Sequence, residues 1–169
     1  MTIDLSLKVS GPIKAEEFIK NTRKTLNQLL KIFELPMIEL YRVEAGKNLL
    51  DPRAQIADRD SLHVLCFAGR TDATVAVISS IEESAGCRSV TFSVGANRSP
   101  AEYVLAVSAA IALGALCNSN IVDGWSFWTG DEAHDAQGLL KDLSLQNAPS
   151  TFDEACEMLL GSRGYRPAP

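Results

Sequence analysis

The first half of the chain alternates between the hydrophobic periods of strands and that of one long helix. Residues 2–9 alternate apolar and polar side chains, which predicts a half-buried strand. Residues 13–35 carry apolar side chains at helical spacing with Lys and Glu between them, and Pro36 is expected to end that helix. Residues 37–45 predict a second strand, and a loop is expected around residues 48–60.

Three β-rich runs follow in close succession, over residues 62–68, 74–81 and 89–94. Short stretches containing Gly, Asp or Ser separate them. We expect antiparallel hairpins here, because parallel neighbours would need long crossover connections.

The residues Ser99-Pro100-Ala101-Glu102 predict the start of a helix. Ser99 can accept a hydrogen bond from the first turn, Pro100 suits the first helical position, and Glu102 can complete a capping box. Residues 103–117 contain no charged side chain. Because this run is shorter than the roughly 20 residues that cross a bilayer, we expect a buried central helix and no membrane span.

The last part of the chain predicts one more strand and two helices. Residues 121–128 form an aromatic strand or extended segment that contains both tryptophans. Two further capping-box patterns, at 129–132 and 151–154, predict helices over residues 130–145 and 152–161.

These elements predict one α+β domain over residues 1–163, followed by a flexible C-terminal tail at 164–169. A mostly antiparallel β-sheet should be covered by a long N-terminal helix, a buried central helix and two C-terminal helices. With 169 residues the chain can bury a hydrophobic core without metals or disulfides, and we expect no cofactor.

The cysteines and the N-terminus predict a cytoplasmic protein. The four cysteines are far apart in sequence, which excludes CxxC redox motifs and the common zinc spacings. Small buried thiols in a reducing compartment are the expected state. The first residues show neither the basic nor the apolar region of a signal peptide.

The charge is distributed unevenly. The net charge of −5 argues against binding to nucleic acid or to an anionic membrane, since both require basic surface. Residues 1–98 hold thirteen Lys and Arg against twelve Asp and Glu, whereas residues 99–162 hold nine acids against one base, Lys141.

Two patterns could hold a small ligand or a metal. If residues 131–135 were helical, Asp131, His134 and Asp135 would share one face and could bind a divalent ion, although the helix dipole and the capping box explain these acids equally well. The turn at 95–99 offers Arg98 and Ser99 at a helix N-terminus, where an anion could bind. It lacks the glycine spacing of known phosphate loops.

The aromatic segment has two interpretations. Trp125 and Phe127 would share one face of a strand and Trp128 the other. Packing in the core is one interpretation. The other is that Trp128 is an exposed interface anchor, rimmed by the acids that follow it.

The stretch from Arg98 to Tyr103, the Ala-rich helix after it, and Ile121-Val122-Asp123 with Trp125 and Trp128 resemble small bacterial immunity proteins. These are cytosolic antidotes to secreted toxins, and the resemblance covers about 30 of the 169 residues. It implies a non-enzymatic α+β protein that binds a cognate toxin and blocks its active site.

The leading hypothesis is therefore a toxin-neutralising immunity protein that binds a basic protein toxin through an acidic surface. The predicted contact residues are Trp128, Asp131, Glu132, Asp135, Glu154 and Glu157. The alternative is a small ligand-binding domain or enzyme with an anion site at 95–99, served by Arg98, Ser99 and His134. A third possibility, an oligomerising subunit, would show an apolar face on the sheet.

Overall fold

The computed structural model describes residues 2–43, 47–49, 51, 53–69, 76–84, 86–95, 98–124, 128 and 133–162. These residues form strands and helices in an α+β arrangement, as the hydrophobic pattern predicts. In chain order the elements are β1 (Thr2–Ser10), β2 (Ile13–Lys14), α1 (Ala15–Leu30), β3 (Ile38–Val43), β4 (Lys47–Leu49), β5 (Gln55–Ile56), β6 (Ser61–Phe67), β7 (Ala76–Ser84), β8 (Cys87–Gly95), α2 (Pro100–Cys117), β9 (Ile121–Asp123), α3 (Ala136–Leu143) and α4 (Phe152–Gly161).

Seven strands form one antiparallel sheet in the order β4-β3-β6-β7-β8-β1-β9. The short strands β2 and β5 pair separately. The antiparallel pairing of β6 with β7 and of β7 with β8 confirms the predicted hairpins. The first strand of the chain lies inside the sheet, between β8 and β9.

The alternating side chains of β1 show which face of the sheet is buried and which is polar. Leu5 lies opposite Phe92 and both side chains are buried toward the helices. Ser6 lies opposite Thr91 on the other face, where their hydroxyl oxygens are 2.9 Å apart. The two-residue period of a strand therefore assigns one face to the core and leaves the other polar.

Helix α2 is the centre of the core. Residues 101–114 are buried, and α2 contacts the other three helices as well as β1 and β8. It has the length and composition of a membrane-spanning helix, but 78% of it is buried inside the fold. At its start the Ser99 N–H donates to Glu102 Oε2 at 2.8 Å, which confirms the predicted capping box.

Helix α1 ends at Leu30, so the prediction that it continues to Pro36 is wrong. Lys31 adopts a left-handed conformation (φ 56°) and its N–H donates to Asn27 O. The Asn27 side-chain amide then donates to Ile32 O at 2.8 Å, which holds the chain across the helix C-terminus. Phe33 follows with 87% of its surface exposed.

Helix α3 begins at Ala136, six residues later than predicted, and the strand before it is shorter than predicted. The backbone of His134 instead forms a two-way bridge with Ile121, which prevents helix formation at that point. Helix α4 matches its prediction, with Thr151 Oγ1 accepting from the Glu154 N–H at 3.2 Å. The predicted tail lies outside the described residues.

Candidate functional site

Trp128 belongs to the hydrophobic core. Only 3% of its surface is exposed, and its backbone N–H donates to Asp123 Oδ2 at 2.5 Å. The prediction that Trp128 is an exposed interface anchor is therefore wrong, because the indole has no free face to offer. Trp125 and Phe127 lie outside the described residues.

Two of the seven acids that the structure describes within residues 99–162 lie inside the fold. Glu102 is 1% exposed and Asp123 is 4% exposed. Each carboxylate accepts a backbone N–H, from Ser99 and from Trp128 respectively. The surface formed by residues 99–162 is therefore less acidic than the sequence alone indicates.

The predicted acid–histidine cluster does not form one helical face. Asp135 is the N-cap of α3 and its Oδ1 accepts from the Gln137 and Gly138 N–H groups at 3.0 and 2.9 Å. His134 precedes it in extended backbone, which overturns the helical geometry assumed for a metal site. Asp131 and Glu132 lie outside the described residues. Among the described residues, no group of three His, Cys, Asp or Glu side chains is placed to hold a metal.

The exposed acids that remain are concentrated on α4. Its solvent face carries Asp153, Glu154 and Glu157, with Met158 beside them at 39% exposure. Glu154 also accepts the Ser150 N–H at 2.8 Å and so fixes the start of the helix. Residues 142–162 contain no lysine or arginine.

The turn before α2 is a poor anion site. Arg98 lies 3.9 Å from the buried Glu102 carboxylate, which offsets its charge. The cavity beside Ser99 has a volume of about 110 Å³ and is also lined by Asp153 and Glu157. Those two carboxylates would repel an anion placed there.

The structure also keeps Arg98 and His134 apart. Arg98 lies just beyond the end of β8 that pairs with Thr2. His134 bridges Ile121, which pairs with Leu7. At the rise of a strand, Thr2 and Leu7 are about 17 Å apart along β1. The predicted ligand site built from both residues is therefore not assembled.

His63 lies in a buried polar network on the helix-facing side of β6. Arg42 Nε–H donates to His63 Nε2 at 3.4 Å, so this nitrogen must accept. The proton of the neutral ring is then on Nδ1, 3.4 Å from Ser61 Oγ, and is donated to that oxygen. A histidine that donates to a serine does not activate it as a nucleophile, and the geometry agrees with a structural role.

A groove between α1 and α3 was not predicted from the sequence. Its volume is about 470 Å³, and on α2 it is lined by the buried Ala112 and the exposed Ala115. Three lysines line it: Lys24 on α1, Lys31 immediately after α1, and Lys141 on α3. The sequence carries little signal for this groove, because its lining residues come from three helices that are far apart along the chain.

The outer face of the sheet carries a short apolar diagonal. Val43, Leu62 and Ile81 come from the neighbouring strands β3, β6 and β7 and are 37%, 39% and 59% exposed. Their outward position follows from the register that pairs Leu62 with Ser79. These side chains form a small exposed apolar area on adjacent strands of the sheet.

Comparison of the chain with protein-family models, with curated proteins and with solved structures finds no significant match.

Proposed function

We propose that this chain is a protein-binding module, an immunity protein that neutralises a basic protein toxin in the cytoplasm, with α4 at the centre of the contact surface. The observation that carries the proposal is the solvent face of α4. It displays Asp153, Glu154 and Glu157 around the exposed Met158, in a segment without lysine or arginine.

This combination suits a charged protein partner. The carboxylates would steer a basic surface toward α4 and orient it, while the Met158 thioether offers an adaptable apolar contact. A toxin that acts on nucleic acid needs basic surface to hold phosphates, and an acidic helix competes for that surface. The partner proposed here is therefore basic, and binding to it would block substrate access.

The test uses the product of the gene next to that of this chain, with bacterial growth and calorimetric Kd as readouts. The double variant Glu154→Gln/Glu157→Lys removes negative charge from α4. The glutamine side chain keeps an acceptor for the Ser150 N–H, and a lysine in the last turns of a helix is favourable for stability. We expect Kd to rise about 10-fold at low salt and its salt dependence to shrink.

The matched control is Glu16→Gln/Glu17→Lys on α1. It makes the same change in net charge at two exposed positions of another helix. The control should bind and protect growth as the native chain does. The proposal is wrong if the neighbouring protein neither binds nor inhibits growth, or if both double variants weaken binding equally.

A second candidate function is self-association through the outer face of the sheet. The specific observation is the diagonal of Val43, Leu62 and Ile81. Light scattering coupled to size exclusion would show a dimer for the native chain and a monomer for Ile81→Lys. A monomer at every concentration of the native chain would remove this candidate.

A further inference from the structure

We infer that the groove between α1 and α3 is a second binding site, which takes an acidic, amphipathic segment of a partner protein. The inference is independent of the function proposed for α4. The groove lies beside residues 111–115 near the C-terminal end of α2, whereas α4 borders residues 99–101 at its N-terminal end.

The first observation is the sign of the charge. Lys24, Lys31 and Lys141 are the charged side chains that line the groove, and no carboxylate is among its described lining residues. None of the three lysines forms an ion pair with another described residue. In a chain of net charge −5, three uncompensated ammonium groups around one groove are unexpected.

The helix sequences explain why these lysines remain uncompensated. On a helix, an acid three or four positions from a lysine can pair with it. Lys24 has Lys20, Asn21, Asn27 and Gln28 at those positions, so no acid is within reach. Lys141 has Gln137, Gly138, Ser144 and Leu145 at the same spacings.

Another cleft of similar size shows the contrast. It measures about 400 Å³, and Arg88 lines it together with Asp58 and Glu82. Arg88 forms ion pairs with Asp60 and Glu82, so its charge is satisfied within the fold. Arg88 at that cleft is therefore neutralised within the fold, whereas the lysines of the α1–α3 groove can pair with charges on a ligand.

The shape of the groove indicates the kind of ligand. Lys24 and Lys31 line the α1 side of the groove, and Lys141 lines the α3 side. The exposed Ala115 and the partly buried Leu140 add a small apolar area to an otherwise mostly polar lining. A peptide with carboxylates on its flanks and a small apolar face fits both features, as in helix-in-groove recognition.

The probe for the test is a fluorescein-labelled helical peptide with glutamates on both sides of a leucine stripe. The same peptide with glutamine for glutamate is its control. Fluorescence anisotropy should show salt-dependent binding of the acidic peptide and none of the glutamine peptide. The triple variant Lys24→Gln/Lys31→Gln/Lys141→Gln should raise Kd about 10-fold or more.

The matched protein control is Lys14→Gln/Lys20→Gln/Arg23→Gln. It removes the same charge from exposed positions on and next to α1, outside the groove lining. Its Kd should change less than about 3-fold. Equal loss in both triple variants would show binding by net charge alone and would overturn the inference, as would no binding by the native chain.

A second pair of variants tests the floor of the groove. Ala115 is exposed at the C-terminal end of α2, so a larger side chain there should leave folding intact. Ala115→Glu places a carboxylate among the lysines and should block the peptide more strongly than Ala115→Gln. If tripolyphosphate displaces the peptide fully and neither variant at Ala115 weakens binding, the site takes inorganic anions and the peptide assignment is wrong.

Discussion

The Asp123 carboxylate accepts the backbone N–H of Trp128 at 2.5 Å, in the interior of the protein. This bond links the last residue of β9 to the backbone of Trp128, whose indole is buried. Asp123 and Trp128 are therefore both part of the core. Its removal should therefore affect stability first.

Asp123→Ala should lower the free energy of unfolding by about 1–3 kcal/mol, because a buried N–H would lose its acceptor. Urea denaturation followed by tryptophan fluorescence measures the loss. Val122→Ala, on the exposed face of the same strand, is the control and should cost less. Equal stability of Asp123→Ala and the native chain would contradict the structural role.

Asp135→Ala should also destabilise the protein, by about 1 kcal/mol, because Asp135 caps α3 through two backbone N–H groups. Asp135→Asn keeps an acceptor and should recover most of the loss. Thermal unfolding of the three proteins distinguishes a cap from a partner contact. A contact residue would change Kd and leave the melting temperature unchanged.

Gly114→Ala should destabilise the protein although alanine favours helices. A Cβ at this position would lie 3.1 Å from Ser119 O and 3.2 Å from Ile121 Cδ1. The Ser119 backbone cannot withdraw easily, since its N–H donates to Gly114 O at 2.9 Å. We expect a net loss of about 1 kcal/mol. Gly161→Ala, where nothing lies within 4 Å, should instead gain up to about 1 kcal/mol.

Cys117 should react slowly with iodoacetamide at pH 8 in the folded protein. Burial raises the pKa of its thiol to about 11, so little thiolate is present at that pH. Mass spectrometry of tryptic peptides would follow the modification, with urea-unfolded protein as the reference. Modification of Cys117 at the same rate in both states would contradict the raised pKa.

Tyr41 should ionise at unusually high pH. Its O–H donates to Glu39 Oε2 at 2.6 Å, and this bond, with desolvation and the carboxylate charge, raises the pKa of the phenol to about 12. In the unfolded chain the tyrosine phenol titrates at pH ~10. Any stability from the Tyr41–Glu39 pair is therefore fully present below that pH and is lost as the pH rises toward 12. Absorbance at 295 nm measures phenolate formation. Glu39→Gln should lower the pKa of Tyr41, and an unchanged titration would contradict the assignment.

Most of the fold follows from patterns that are local in the sequence. The two-residue alternation of β1 and the uncharged run of α2 are each visible within one continuous segment, and both elements form as predicted. The errors occur where two local signals compete. Residues 129–135 contain two possible helix caps, and the long-range bridge between Ile121 and His134 selects Asp135.

The candidate sites were harder to predict because they depend on how helices pack. Trp128 is buried with its backbone N–H bonded to the Asp123 carboxylate, and an acid close to an aromatic residue in the sequence is equally typical of an exposed interface. The groove needs α1 and α3 side by side over α2, which brings Lys141 opposite Lys24. The spacing of residues within one helix does not predict which other helix packs against it. The acidic surface of α4 could be predicted from the sequence because a single helix carries its acids.

The interior position of β1 has a consequence for the time course of synthesis. Ser6 and its partner Thr91 are 85 positions apart, so the first strand leaves the ribosome long before the strands on either side of it. Strands β6, β7 and β8 can pair with one another soon after synthesis, whereas both edges of β1 stay unpaired until β8 and β9 have formed. Folding should therefore be limited by the late insertion of β1, and a chaperone that shields extended apolar segments would act on this strand first.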